Sequence, residues 1–76
     1  MSYLTIELKT NDEGGTAAEL LYSGVDRNYA ESVYHATLAT AATSDRACHA
    51  AIILQGDGTP LEYMAYYKET SEEGAE

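Results

Sequence analysis

Two histidines, one cysteine and thirteen carboxylates are the groups of this 76-residue chain that could move protons, hold a metal or attack a substrate. Glu31 and His35 stand four apart, a spacing that on a helix puts them on one face as a surface pair or as half of a metal site. No second His-Glu motif completes such a site, so the spacing reads as an exposed helix pair. Cys48 and His49 are neighbours in an apolar stretch. On a strand, adjacent side chains point to opposite faces, so these two share neither a metal nor a proton. Asp57 between Gly56 and Gly58, and the run Asn11-Asp12-Glu13-Gly14, carry fragments of a calcium loop without its alternating oxygen ligands or its closing glutamate. Both read as turns. The chain has no phosphate-binding glycine loop, and only four Lys and Arg residues with which to hold a phosphate. Chemistry of this kind predicts no catalytic, metal or cofactor-binding residues, and so a protein that is not an enzyme.

The elements that position these groups follow from periodicity. Leu4, Ile6 and Leu8 alternate with Tyr3, Thr5, Glu7 and Lys9, the period-two pattern of a half-buried strand. The run 10–16 is turn chemistry, and residues 17–22 read as the returning strand of a hairpin, although Ala-Ala-Glu-Leu-Leu also suits one helical turn. Asp26 is placed to cap a helix that begins at Arg27. Ala30, Val33, Tyr34, Thr37, Leu38 and Ala41 then recur at helical spacing and form a narrow core stripe of small residues. Residues 47–55 and 61–68 read as two more strands, joined by the turn 56–60, with Pro60 at the mouth of a strand. The expectation is an α+β fold in ββαββ order, an antiparallel four-stranded sheet with one amphipathic helix packed on one face. The apolar residues of the first strand are expected to line that core. One domain is expected over 1–69, with 70–76 a disordered acidic tail.

A chain this short buries only about 60% of its unfolded surface and needs a supplement to its core. One cysteine allows no internal disulfide. Oligomerisation is the supplement left. The start of the chain lacks the pattern of a signal peptide, no apolar run approaches the ~18 residues of a membrane span, and a lone thiol suits a reducing compartment. A cytoplasmic protein is expected. The formal charge of -9 repels nucleic acid and anionic lipid and favours encounter with a basic protein surface.

All seven aromatic residues are tyrosines, rings with a polar tip that suit half-buried surfaces and interfaces. One helix leaves one sheet face open. In the last strand Leu61, Tyr63, Ala65 and Tyr67 alternate with Glu62, Met64, Tyr66 and Lys68, so at least one tyrosine looks outward whichever set meets the helix. Candidate partner-binding residues are therefore Tyr3, Tyr63, Tyr66 and Tyr67, with Glu7, Glu19 and Glu62 as an acidic surface on neighbouring strands. The plainer readings are tyrosines that finish a core with wet hydroxyls, and carboxylates that keep a small domain in solution.

The segment Tyr34-His35-Ala36-Thr37-Leu38-Ala39 and the strand and hairpin from His49 to Gly58 resemble short uncharacterised proteins carried by phages and conjugative elements of gut bacteria. The likeness covers most of the domain and rests on pattern, with no diagnostic motif. In size and acidity the chain is also similar to anti-CRISPR and other anti-defence inhibitors, which have no common fold. That resemblance implies a stoichiometric inhibitor of a host nucleic-acid-binding defence protein, with no residue carried over. The expected function is a small acidic protein-binding module of this kind; the alternative is a homo-oligomeric structural or accessory protein.

Overall fold

Each of the two hairpin turns is built by one side-chain acceptor and one glycine of positive φ. Asn11 Oδ1 accepts from the amides of Glu13 at 3.0 Å and Gly15 at 2.9 Å, while Gly14 takes φ +94, a conformation costly for any side chain. Asp57 does the same work in the second turn, where its Oδ1 accepts from the Thr59 amide at 3.0 Å and Gly58 takes φ +94. The Thr59 amide, and after it the Thr59 hydroxyl, hold the Asp57 carboxyl below its ordinary range. Both acidic fragments that resembled calcium loops are thus turns.

A computed structural model describes residues 1–68, and the acidic tail expected at 70–76 lies outside them. In chain order the elements are β1 (Tyr3–Thr10), β2 (Thr16–Gly24), α1 (Arg27–Ala41), β3 (Cys48–Gln55) and β4 (Pro60–Tyr67). The strands form one antiparallel sheet in the order β2-β1-β3-β4, with α1 against one face. This is the ββαββ architecture expected, with β2 a strand throughout. Among the described residues no helix is long and apolar enough to cross a membrane.

Helix α1 starts as its sequence dictates. Asp26 accepts from the Tyr29 amide through Oδ1 at 3.1 Å, and its own amide donates to the Tyr22 hydroxyl at 3.1 Å, which ties the cap to the end of β2. The Tyr22 and Tyr29 rings meet edge to face at 5.0 Å, and the Tyr22 phenol fills the space a side chain on Gly24 would need. Asp26→Ala should lower stability by about 1 kcal/mol, and Asp26→Asn, which keeps an acceptor, by less. Urea midpoints at equal m-value would show the difference.

The helix buries Ala30, Tyr34, Thr37 and Ala41, with Val33 and Leu38 half-buried, as its periodicity predicts. What it buries them against is the reverse of expectation. The Thr5 hydroxyl donates to the Ala30 carbonyl at 2.9 Å, so the helix lies on the face of Tyr3, Thr5, Glu7 and Lys9. Leu4, Ile6 and Leu8 turn away from it. The polar face of β1 tolerates burial because its groups are partnered, and the small Ala30 lets the helix backbone approach Thr5. Apolar core is supplied instead by β3 and β4. Tyr34, Ala51 and Ile53 form the buried cluster, with Leu38 and Leu61 packed on it.

Leu61 reaches that cluster through a second departure from simple alternation. Ile53 pairs with Glu62 and Leu54 with Pro60, which leaves Leu61 as the extra residue of a bulge. Leu61 therefore does not share a face with Tyr63, Ala65 and Tyr67. A matching irregularity in β2 sets Tyr22 opposite Thr5 and Leu20 opposite Ile6, with half-buried Leu21 left over.

Candidate functional site

Residues directly opposite one another in an antiparallel sheet share a face, so the pairings define the surface that α1 leaves bare. It consists of four rungs running from β2 to β4: Ser23-Leu4-Leu54-Pro60, Leu20-Ile6-Ile52-Tyr63, Ala18-Leu8-Ala50-Ala65 and Thr16-Thr10-Cys48-Tyr67. No side chain on these rungs is charged. The two central strands contribute Leu, Ile and Ala over most of their length. The edge strands add hydroxyl-bearing Ser23, Thr16, Tyr63 and Tyr67. Leu20, Tyr63 and Tyr67 are 55%, 56% and 73% exposed. Tyr67 sits beside Tyr63 and then Cys48, and these neighbours push its phenol above its ordinary pKa.

The candidate partner residues divide between the two sides of the sheet. Only Tyr63 and Tyr67 lie on the open face. Tyr3 is half-buried on the helix side, with the Arg27 guanidinium 6.0 Å from its ring centre. Glu7, half-buried on the helix side, pairs with buried His49. Glu19 lies opposite Glu7 on β2 and is exposed, whereas Glu62 is half-buried on β4, three strands away from β2. Tyr66 faces the helix side opposite His49. Burial raises the Tyr34 phenol, with smaller contributions from Glu62 and Tyr66, which places both of those residues near the helix. The seven residues therefore do not make one surface, and Glu7, Glu19 and Glu62 do not make one acidic patch. The open face also presents Leu4, Ile6, Leu8, Leu20 and Ile52, none of them among the candidates. The signal of Leu4, Ile6 and Leu8 lies in the alternation of β1, where the expectation set them against the helix.

Among the described residues, Glu7 and His49 make the closest acid-base contact on the helix side of the sheet. The His49 ring is only 6% exposed and its Nε2 lies 2.6 Å from Glu7 Oε2, while Lys9 Nζ stands 3.8 Å from the other oxygen. A carboxylate only accepts, so Nε2 carries the proton and donates. His49 Nδ1 is buried and has no hydrogen-bond partner among the described residues. Cys48 and His49 point to opposite faces, as a strand requires. Glu31 pairs with Arg27 at 3.2 Å instead of His35, whose ring packs edge-on against Tyr34 at 5.3 Å. Among the described residues no three His, Cys, Asp or Glu side chains are placed to hold a metal. A surface cleft of about 360 Å³ is lined by Asn11, Asp12, Asp45, Arg46 and Lys68, with Lys68 Nζ 3.4 Å from Asp12. Its cations are matched by its own carboxylates.

Fold and face together define a class by architecture: an α+β domain in ββαββ order, with a helix on one side of its sheet and an uncharged, largely apolar surface on the other. No protein-family model, no curated protein and no solved structure matches this chain.

Proposed function

We propose that this chain is a small non-enzymatic protein-binding module that meets its partner through the open sheet face. The observation that carries the reading is four rungs of uncharged residues on a chain with net charge -9. Charged residues make up 22% of the sequence, and their absence from a whole sheet face is the depletion that marks interface cores. Apolar patches of this extent on small domains are contact surfaces far more often than bare ones. The Glu7–His49 pair lies on the other side of the sheet, with side chains 13% and 6% exposed, and so takes no part in this face.

A second version has its own observation. Asp12, Glu13 and Glu19 are all exposed on the β1–β2 hairpin, and with the net charge they favour encounter with a basic surface, as an inhibitor of a host nucleic-acid-binding defence protein from a phage or mobile element would need. A photo-crosslinking amino acid placed singly at positions 67, 19 and 25 in the producing cell separates the two. Adducts from position 67 that persist at high salt are expected, with none from position 25. Adducts from position 19 alone, fading with salt, would favour the acidic hairpin. No adduct from 67 or 19 would end the binding-module reading.

A further inference from the structure

We propose that the occupant of the open face is a second copy of this chain, the two sheets packed face to face with both helices outside. The proposal rests on reading that face as a binding surface and names the partner.

Charge selects the face. Each copy carries -9, so copies that met through their acidic surfaces would oppose carboxylate to carboxylate. The open face has no charge to oppose, and equally no carboxylate with which to recognise a basic partner. A like surface is what it complements.

Its layout agrees. In a two-fold dimer the same patch serves both subunits and must be self-complementary. Here Ile6, Ile52 and Leu8 occupy the central strands, while Tyr63, Tyr67 and Thr16 occupy the edges. That is an apolar centre with a hydroxyl rim, the anatomy of a specific interface. Two such faces would stack about 10 Å apart with strands inclined by about 30°.

The area is sufficient. Four strands of about eight residues give a footprint of about 500 Å² in projection, before side-chain relief is counted. Two copies then bury about 1,000 Å² or more, beyond the range of most lattice contacts and at the threshold of specific interfaces. The monomer also lacks depth. Among the described residues the buried apolar side chains are Ala30, Tyr34, Ala41, Ala50, Ala51 and Ile53, four of them alanine. A second sheet supplies the missing layer.

Sedimentation equilibrium of the full chain, from low to high micromolar concentration, tests the proposal. The expected mass is 16.4 kDa, twice the 8.2 kDa of one chain. Leu20→Glu and Tyr63→Glu should each weaken dimerisation by about 100-fold or more, since the two-fold buries every introduced charge twice. Both residues are more than half exposed in the monomer, so circular dichroism should remain that of the folded chain. Val25→Glu, 77% exposed in the link between β2 and α1, should leave the dimer intact. A wild-type mass of 8.2 kDa at high micromolar concentration, or a dimer that survives both face variants, overturns the proposal. A monomer whose position 67 still crosslinks to another protein overturns the dimer alone. A monomer that yields no adduct overturns the binding reading as well.

Discussion

Ile53→Ala is expected to destabilise the domain by about 3 kcal/mol, a large fraction of the roughly 4 to 11 kcal/mol that a chain of this size holds in total. Ile53 is 1% exposed and, with Thr5, is one of the two largest side chains buried almost completely. It packs on Tyr34 and Ala51, and the remaining core is mostly alanine, which cannot move in to fill a cavity. The loss should show as a lower urea midpoint at unchanged m-value. Ile52→Ala, the same chemistry one residue away, is the control. Ile52 faces the open side, so its loss should be smaller when the chain is dilute and should grow with protein concentration. Equal losses at all concentrations would mean that the two faces of β3 are not as distinct as the pairings make them.

Glu7→Ala should cost about 2 kcal/mol, because it leaves the His49 Nε2–H without an acceptor on a buried ring whose other nitrogen has no partner among the described residues either. Glu7→Gln keeps an acceptor oxygen and should recover most of the loss. A double-mutant cycle with His49→Ala isolates the pair: the two single losses should not add, since either one alone removes the 2.6 Å contact. Additive losses would show that Glu7 acts through Lys9 or through general charge. The contact with Lys9, at 3.8 Å and with that side chain 29% exposed, should contribute little.

The local devices of this fold are legible in the residues that make them. Asp26 caps the helix, Asn11 and Gly14 close one turn, Asp57 and Gly58 close the other, and the stripe from Ala30 to Ala41 faces the sheet. Each depends on groups within a few positions of one another, where spacing alone sets which atoms can meet. The opposite orientations of Cys48 and His49 follow from strand alternation and needed no tertiary information.

The face that the helix covers was not decided locally. Alternation divides β1 into Leu4, Ile6, Leu8 and Tyr3, Thr5, Glu7, Lys9, but it is symmetric about the sheet plane and does not say which set lies under α1. The usual inference, apolar toward the helix, failed because partners distant in sequence satisfy the polar set: Ala30 for Thr5 and His49 for Glu7. Those pairs exist only once β1 lies between β2 and β3, in a strand order no local pattern specifies. The bulge at Leu61 is likewise a product of register. The sequence alone therefore determined the elements, their caps and their turns; tertiary packing decided that the most apolar stripe of β1 would face away from the helix, because burial of a polar group is governed by its partners and those come from across the fold.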